Sequence, residues 1–370
     1  MLHDIDTASI LAQFEIKGTV QEVLPLGNGL INDTYRVVTE GTAPDYVLQR
    51  INNAIFQDVD LLQHNIEVVT AHIRSRLEAC NTDDIDRHVL QFVKAHDGKT
   101  YYRDEAGRYW RVMVFIPDSV TREAVTPQSA RDCGKAFGHF EKMLVDVPEP
   151  LGETIPDFHN MELRWRQLQE AVSNDAAGRL DEVRTIVEEL ERDAIEMCQT
   201  ERLYREGRLP KRICHCDTKV NNMLFDQQGQ VLCVIDLDTV MPSFIFSDYG
   251  DFLRTGANFT AEDDPDLSRV GFNVEIFKAF TTGYLESARE FLTPIEVELL
   301  PYAVALFPFM QCVRFLTDYL NGDTYYKIKY PTHNLDRTRN QLALYRDVRR
   351  HDQMMADFIH SLLNQTTLTT

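Results

Sequence analysis

The segment His215-Cys-Asp-Thr-Lys-Val-Asn-Asn222 combines a carboxylate, a cation and an amide at spacings that suit the transfer of a phosphoryl group. Such a reaction needs a group that orients the acceptor hydroxyl, oxygen ligands for a metal on the phosphates, and positive charge near the transferred group. Asp217 is the candidate catalytic base, and Asn222, five residues later, has the spacing of a metal-binding amide. Lys219 can reach a γ-phosphate as a cation, and His215 would hold the loop through hydrogen bonds.

A second metal ligand is predicted at Asp236, which follows the apolar run Val231-Leu-Cys-Val-Ile235 and comes fourteen residues after Asn222. The His-x-Asp-x₄-Asn pattern is a weak signal by itself, because such residues also serve as turn and cap residues. The added carboxylate makes a phosphoryl-transfer centre with magnesium the better interpretation. A non-catalytic nucleotide-binding regulator would be expected to lack Asp217 or Asp236, and both are present.

Nucleotide phosphates are predicted to contact a glycine-containing turn near the N-terminus. Gly27, Asn28 and Gly29 lie between two strand-like segments, and a turn of this kind lets backbone N–H groups approach phosphate oxygens closely. Asn32 and Thr34 begin the second of these segments, and polar side chains at that position suggest contact with a ligand.

The elements that must position these residues fall into a strand-rich part followed by a helix-rich part. Runs of β-branched and aromatic residues predict strands at 19–26, 31–39, 46–51, 88–94, 100–103 and 108–116, with one amphipathic helix at 58–77 among them. Helical patterns follow at 130–144, 162–174, 180–204, 274–290, 294–320 and 333–363, the last of these with a break. Short strand-like pieces at 213–216, 222–225 and 231–236 interrupt this series.

This order predicts an α+β, bilobal protein-kinase-like fold. A small antiparallel lobe with one long helix would bind the nucleotide in residues 1–116, and a larger, mainly helical lobe in residues 117–370 would carry the catalytic and acceptor residues. The crossover Val114-Phe-Ile-Pro117 would bring Phe115 near adenine through backbone contacts.

Composition argues against several other functions. The formal net charge of −20 does not suit a general nucleic-acid surface, which needs clustered Lys and Arg. The seven cysteines have neither zinc-site nor disulfide-framework spacing. The N-terminus does not resemble a signal peptide, and no run of about 18 apolar residues occurs. We expect a cytoplasmic protein that binds small molecules, as a monomer or a homodimer, and has no nucleic-acid or membrane partner.

These motifs together resemble the aminoglycoside phosphotransferase-like kinases and, within them, the N-acetylhexosamine 1-kinases. The resemblance runs nearly end to end, through segments 27–35, 46–52, 215–224, 235–239, 248–254, 314–325 and 330–341. It implies ATP- and Mg²⁺-dependent phosphorylation of the anomeric hydroxyl of N-acetylglucosamine or N-acetylgalactosamine, with Asp217 as the base. Arg314 and Tyr325 would face the sugar, and Asp318, one helical turn after Arg314, could pair with it.

Three positions depart from related patterns. Strand alternation puts Gln49 where protein kinases carry a lysine that pairs with a helix carboxylate such as Glu67, and the N-acetylhexosamine kinases are similar to this chain in having Gln. Leu30 stands where the related enzymes have a histidine near the sugar. Thr255 stands where they have an aromatic residue. Leu30 and Thr255 would either shift the sugar preference or be neutral.

Another small hydroxyl acceptor, such as choline, homoserine or an aminoglycoside-like compound, stays open as an alternative. A cationic acceptor would be bound by several carboxylates or by an aromatic cage. Asp248, Asp251, Asp263 and Asp264 are acidic residues that could supply such carboxylates.

Overall fold

The computed structural model describes residues 6–27 and 31–365, which form two compact units. The first unit contains the residues up to Val120 together with Asp146–Pro156 and Leu224–Met241. The second contains Thr121–Val145, Asp157–Met223 and the residues from Pro242 onward. The division expected after residue 116 falls near the first boundary, while the two later segments group with the N-terminal residues.

The first unit is built on a six-stranded antiparallel sheet with the order β1-β2-β3-β6-β4, in which β5 also pairs with β6. The strands are β1 (Val20–Pro25), β2 (Asp33–Thr39), β3 (Tyr46–Ile51), β4 (Phe92–Val93), β5 (Tyr102–Arg103) and β6 (Tyr109–Val114). The register puts Thr34 opposite Gln49 and Gln49 opposite Arg111, so these side chains form one row across three strands. Residues next to this row, such as Tyr35, Leu48 and Val112, point to the opposite, apolar face.

Two helices accompany this sheet. The short α1 (Thr7–Leu11) adds Ile10 and Leu11 to the apolar core on one face of the sheet. The longer α2 (Val59–Ala79) begins where the sequence predicts, because the Asp58 side chain accepts a hydrogen bond from Leu61 N at 2.9 Å.

α2 also ties the two later segments to the first unit. The buried amide of Asn65 donates to the carbonyl oxygens of Gly152 at 2.8 Å and Val240 at 2.9 Å. The second of these segments contains most of a short hairpin made by β8 (Met223–Phe225) and β9 (Val231–Val234). A side chain in the middle of α2 therefore supplies the hydrogen bonds that the backbone of both segments needs.

The second unit is mainly helical, as expected. Its helices are α3 (Pro127–Met143), α4 (Met161–Asn174), α5 (Leu180–Met197), α6 (Gln199–Arg205), α7 (Phe246–Gly256), α8 (Val274–Ala288), α9 (Pro294–Glu298), α10 (Leu300–Leu320), α11 (His333–Arg350) and α12 (Asp352–Gln365). The short strand β7 (Arg212–Cys214) pairs with β10 (Met241–Ser243). Three long helical predictions divide in the structure, at Cys198, Leu299 and His351.

α10 lies at the centre of this unit, with nearly all of its side chains buried. Among the described residues it is the one helix whose length and apolar composition would allow it to cross a membrane, yet 78% of its most apolar window is buried inside the molecule. A helix that is apolar all round is also what the core of a large globular unit requires.

Glycines let α3 and α8 approach each other backbone to backbone. A Cβ atom on Gly134 would lie 2.1 Å from the carbonyl oxygen of Phe280, and one on Gly138 would lie 2.7 Å from that of Tyr284. From the other side, a Cβ atom on Gly283 would lie 2.0 Å from the carbonyl oxygen of Arg131. No side chain fits at these three positions. The two helices can therefore pack this closely only because glycines stand there.

All seven cysteines are free thiols. Cys80, at the end of α2, is exposed, whereas the others are buried or partly buried. Burial raises the pKa of Cys133, Cys198 and Cys233 to about 12. Burial also raises the pKa of Cys214, Cys216 and Cys312. All six of these thiols therefore stay protonated near neutral pH.

Candidate active site

The loop after β7 brings the predicted base, cation and amide together in the second unit. The Asp217 carboxyl is 22% exposed, and the Lys219 ammonium lies 2.6 Å from its Oδ1. The side-chain nitrogen of Asn222 donates to the Asp217 carbonyl oxygen at 2.8 Å and lies 3.3 Å from Oδ2 of the same residue. Because its nitrogen is used inside the loop, Asn222 offers its Oδ1 as a ligand oxygen.

The backbone of this loop is held in a strained conformation by a buried carboxylate. Cys216 has a φ of +63°, which side-chain-bearing residues rarely adopt. Asp248 on α7 accepts hydrogen bonds from the N–H groups of His215 at 2.8 Å and Cys216 at 2.7 Å. The Thr218 hydroxyl donates to the Asp248 carbonyl oxygen at 2.7 Å. α7 therefore positions the loop that carries Asp217.

The His215 side chain supports the loop from the core of the second unit. Its ring is fully buried and packs edge-on against Phe137 and Phe140. Its Nδ1 accepts a hydrogen bond from the N–H of Asp217 at 3.3 Å. The ring therefore fixes the backbone next to the candidate base.

Asp217 is ionised near neutral pH. Burial would raise the pKa of its carboxyl, but the Lys219 ammonium and its hydrogen bond outweigh burial and hold that pKa below its ordinary value. Burial likewise acts to lower the pKa of Lys219, whereas the charges of Asp217 and Asp251 raise it. The pair is therefore a carboxylate facing an ammonium.

Two further charged residues lie on the same helix as Asp248. Asp251 and Arg254 follow it at intervals of three residues, so all three side chains share one region of α7. Arg254 Nε donates to Asp251 Oδ1 at 3.0 Å, and Arg254 Nη1 donates to Glu262 at 2.7 Å. The guanidinium of Arg254 is one of the positive charges that lower the pKa of Asp217.

The sequence signal for this arrangement is the Asp-x-x-Asp-x-x-Arg spacing of 248–254. Sequence reasoning treated Asp248 and Asp251 as carboxylates for a cationic acceptor. In the structure they are buried and hold the loop backbone and Arg254.

A cavity of about 370 Å³ opens between α4 and α10 in the second unit. Its lining residues are Arg164, Gln167, Glu170, Ala171, Asn174, Arg314, Thr317, Asp318, Asn321, Thr324, Tyr325 and Tyr326. The three predicted acceptor residues of this region, Arg314, Asp318 and Tyr325, therefore line one cavity. Arg164 was not predicted, because nothing in the sequence of α4 distinguishes it from the exposed Arg166 two residues later.

The two arginines bring donor groups to this cavity, which Glu170 and Asp318 also line. Arg164 donates to the carbonyl oxygen of Phe158 at 2.9 Å, and Arg314 donates to Gln311 Oε1 at 3.2 Å. Among the described residues, neither forms an ion pair with a carboxylate. Burial, together with the charges of Arg314, Arg164 and Arg254, lowers the pKa of His159 well below its ordinary value.

Asp318 is used differently from the predicted pairing with Arg314. Its Oδ1 accepts hydrogen bonds from Thr324 N at 2.9 Å and Tyr325 N at 2.8 Å. Its Oδ2 accepts from Tyr326 N at 2.9 Å and from the Asn334 amide at 2.8 Å. With both oxygens satisfied, and no ion pair between the two described side chains, Asp318 shapes the loop that presents Tyr325.

α10 ends at Leu320, so Arg314 and Tyr325 do not lie on one continuous helix. The Tyr325 ring is 70% exposed, and the Arg314 guanidinium lies 5.7 Å from the Tyr326 ring centroid. Thr255 lies on α7 with its hydroxyl 3.3 Å from the carbonyl oxygens of Asp251 and Phe252. Thr255 is not among the residues that line the cavity.

The predicted nucleotide residues belong to the first unit. Asn28, Gly29 and Leu30 lie outside the described residues. Gly27 has a φ of +70° and open space around its Cα, as a tight backbone turn requires. Asn32 uses its side chain internally, where it donates to Asp238 Oδ2 at 2.7 Å and accepts from Asn52 N at 2.9 Å.

A buried polar chain extends from Thr34 across the sheet. Gln49 donates to Thr34 Oγ1 at 3.0 Å and accepts from Arg111 Nε and Nη2 at 2.9 and 2.8 Å. Arg111, only 2% exposed, also places Nη2 2.6 Å from Asp238 Oδ1. Arg111 thus supplies the buried cation on this face of the sheet that Gln49 cannot supply.

Neighbouring charged residues of this sheet and of α2 have other partners. Arg50 pairs with Asp33, and Glu67 accepts a hydrogen bond from the Thr100 hydroxyl rather than joining Gln49. Sequence reasoning missed Arg111 because it lies within the apolar strand β6. A lone arginine in a buried strand was the available signal.

Phe115 and Asp236 complete the predicted residues of the first unit. The N–H of Phe115 donates to the Asp45 carbonyl oxygen at 2.9 Å, so a backbone contact with adenine would use a carbonyl oxygen of this segment. Asp236 follows β9 with a φ of +61° and an exposed side chain. Its carboxylate, like the amide oxygen of Asn222 in the other unit, is the type of hard oxygen ligand that suits magnesium.

Comparison with known proteins gives a family match over most of the chain. The family model described as "Phosphotransferase enzyme family" matches residues 22–280. A solved spectinomycin phosphotransferase in complex with ADP and spectinomycin is similar with a TM-score of 0.56 at 11% identity, covering 97% of this chain and 99% of that chain. A microcompartment-associated aminopropanol kinase gives a TM-score of 0.57 at 17% identity, covering 95% and 98%.

A choline/ethanolamine kinase family protein from Mesorhizobium loti gives a TM-score of 0.56 at 15% identity, covering 97% of this chain and 99% of that chain. At such identities these similarities concern the fold, and they confirm the α+β kinase-like fold predicted from the sequence.

Proposed function

Because the chain belongs to the phosphotransferase enzyme family and is a small-molecule kinase, we propose that it phosphorylates the anomeric hydroxyl of an N-acetylhexosamine, using ATP and Mg²⁺. The product is the sugar 1-phosphate of N-acetylglucosamine or N-acetylgalactosamine. The observation that carries this proposal is the cavity between α4 and α10, in which Arg314 and Tyr325 meet Arg164. Guanidinium groups and a tyrosine offer hydrogen bonds to hydroxyl and acyl oxygens, and rings suit the faces of a sugar.

A cationic acceptor such as choline or an aminoglycoside is disfavoured because the predicted carboxylates are engaged elsewhere. The cavity is lined by Arg164 and Arg314 as well as by Glu170 and Asp318, and both oxygens of Asp318 already accept hydrogen bonds. Asp263 is bound by Lys329 at 2.8 Å, and Asp264 lies 3.2 Å from Arg269. Since Asp248 and Asp251 are buried and committed as well, none of the four candidate carboxylates remains to form a site for a cation.

In the proposed reaction, the ionised Asp217 accepts a hydrogen bond from the anomeric hydroxyl and takes its proton as the phosphoryl group is transferred. Lys219, which pairs with Asp217 in the structure, exchanges this partner for the γ-phosphate. Asn222 and Asp236 are the proposed magnesium ligands. When bound, magnesium neutralises charge on the phosphate oxygens.

An acceptor panel tests the proposal. The purified chain is incubated with ATP and Mg²⁺ plus N-acetylglucosamine, N-acetylgalactosamine, glucose, choline, ethanolamine, homoserine or an aminoglycoside, and products are read by phosphorus NMR. An anomeric sugar phosphate from the N-acetylated hexosamines is expected. Phosphorylation of choline or an aminoglycoside, with no product from any sugar, would overturn the assignment.

A variant of the cavity links that activity to Arg314. Arg314→Met removes a charged donor, so the KM for the sugar should rise about 10- to 100-fold while the KM for ATP stays unchanged, since a hydrogen bond to a charged group contributes about 1.5–3 kcal/mol. Arg269→Met, at an exposed position of the same unit, is the matched control. An unchanged sugar KM in Arg314→Met would move the acceptor site elsewhere.

A further inference from the structure

Two carboxyl groups meet below the catalytic loop, where neither contacts water. Glu141 on α3 is 2% exposed and Asp248 on α7 is fully buried. The two carboxyl groups and the Cys214 thiol each place one ligand atom within 4.8 Å of the others. Two carboxylates at such a distance in a buried site cannot both be ionised, so one of them must hold a proton.

The partners of each oxygen indicate which carboxyl holds the proton. Both oxygens of Asp248 accept backbone N–H groups of the loop, and these donors stabilise a carboxylate. Glu141 Oε2 accepts the Tyr284 hydroxyl at 2.6 Å, whereas Glu141 Oε1 meets no donor among the described residues. Oε1 is therefore the Glu141 oxygen that no described donor reaches, and a proton bound there would give Glu141 an O–H group to donate.

Among the described residues, no basic side chain forms an ion pair with Glu141. Arg212, whose pKa is raised first by Glu296 and to a smaller extent by the Glu141 charge, donates to the buried Glu296 at 2.6 and 2.8 Å. Burial and then the Asp248 charge raise the pKa of Glu141 well above its ordinary value.

A metal is no alternative occupant. With both Asp248 oxygens and Glu141 Oε2 engaged, the cluster has one carboxyl oxygen and the Cys214 sulfur left. Burial raises the pKa of that thiol well above its ordinary value, so it is not a thiolate ligand.

We propose that Glu141 is a positioning residue that stays protonated in the folded enzyme and donates a hydrogen bond to Asp248. Tyr284, Glu141 and Asp248 then form one chain of hydrogen bonds that ends at the backbone of His215 and Cys216. This chain fixes the loop that carries Asp217. The positioning role of Glu141 rests on the proposed function only because the loop that it supports carries Asp217.

Infrared spectroscopy tests the protonation directly and needs no acceptor. The full-length protein at pH 8 should show the C=O stretch of a protonated carboxylic acid, and this band should disappear in Glu141→Gln. Glu290→Gln, which removes an exposed carboxylate paired with Lys142, is the control and should leave the band in place. A wild-type spectrum without a band that depends on Glu141 would overturn the proposal.

Kinetics test the positioning role. Glu141→Gln keeps a donor toward Asp248 and should retain kcat within about twofold, whereas Glu141→Leu should lower kcat about 10- to 100-fold at an unchanged KM for ATP, as expected when a reacting group is misplaced. Rates are measured with ATP and N-acetylglucosamine, or as ATP hydrolysis if no sugar is turned over, so a wrong acceptor does not affect the comparison. An equal loss in the Gln and Leu variants would contradict the proposal. If Glu141→Leu does not fold, the infrared comparison of wild type with Glu141→Gln decides.

Discussion

Burial favours the neutral form of the Asp217 carboxyl, yet Asp217 keeps its negative charge, mainly because of one neighbouring side chain. The Lys219 ammonium at 2.6 Å offsets the effect of burial on the pKa of the carboxyl, with His215 and Arg254 adding smaller contributions of the same sign. The carboxylate is therefore ready to orient a hydroxyl at neutral pH.

Replacing Asp217 by Asn should separate catalysis from nucleotide binding. The amide keeps the size of the side chain but cannot accept the hydroxyl proton, and a positioned general base contributes about 10²- to 10⁴-fold. We expect kcat to fall by that order, with ATP affinity in calorimetry within about threefold of wild type. A variant with wild-type kcat would show that Asp217 is not the base.

At the residue scale, spacing rather than residue type carried the prediction. Asp217, Lys219 and Asn222 were predicted from their spacing along one loop, and the structure brings them together. Arg111 and Asp238 were missed, because their roles depend on partners far away in sequence, and Arg164 was missed because α10, which lines the cavity with it, is distant in sequence. Asp238, for example, meets Asn32 across 206 residues.

Among the elements, α7 shows the limits of pattern reasoning most clearly. Its residues from Phe246 to Arg254 are all buried, so the polar residues at 248, 251 and 254, which recur at helical spacing, face partners inside the protein rather than solvent. The long helices α2, α3 and α4 were predicted within a few residues, because each has one apolar side. The predicted helices 180–204 and 294–320 each divide at one residue, Cys198 and Leu299. The apolar pattern continues past these residues, so periodicity alone does not locate the break.

The contact between α3 and α8 gives a prediction at this scale. Gly134→Ala should destabilise the protein by about 1–3 kcal/mol, because its Cβ atom would meet the Phe280 carbonyl and the helices would have to separate. In an ordinary helix the same change stabilises by about 0.5–1 kcal/mol. Chemical unfolding measures the free energy of unfolding of both proteins. A lower value for Gly134→Ala than for wild type would support the close approach of α3 and α8.

Gln128→Ala, on the exposed side of α3, is the control for Gly134→Ala and should shift stability by less than about 0.5 kcal/mol. If Gly134→Ala stabilises the protein as an ordinary helical substitution does, the two backbones do not approach as closely as described.

At the scale of the whole molecule, one buried acid should contribute a loss of stability between weakly acidic and neutral pH. Glu201 on α6 accepts a hydrogen bond from Met161 N at 3.2 Å, and its Oε2 has no partner among the described residues. Burial raises the pKa of Glu201 from 4.5 to about 7. The folded state therefore holds a proton that the unfolded state releases above its own pKa, so stability falls as pH rises from 4.5 to about 7.

Glu201→Gln should remove this loss. Relative to wild type, the variant should gain about 1–3 kcal/mol of unfolding free energy at pH 8 and little at pH 4.5, with the difference growing between these values. Chemical unfolding at a series of pH values measures it, and Glu206→Gln, at an exposed position of the same segment, is the control. A difference that does not depend on pH would mean that Glu201 ionises normally.

The order of strands followed by helices gave the whole-molecule fold correctly, because an antiparallel sheet and amphipathic helices both carry local patterns. The assignment of 146–156 and 224–241 to the first unit carries no such pattern. It depends on hydrogen bonds such as those of Asn65 to Gly152 and Val240, which no local window contains.

The distribution of thiols has a practical consequence. Six of the seven cysteines are shielded and stay protonated, so a maleimide reagent at neutral pH meets one accessible nucleophile, Cys80. The chain therefore carries a natural attachment point for a fluorophore or a surface tether at the end of α2, in the first unit. Single-site labelling needs no engineered cysteine and leaves every residue of the catalytic loop unmodified.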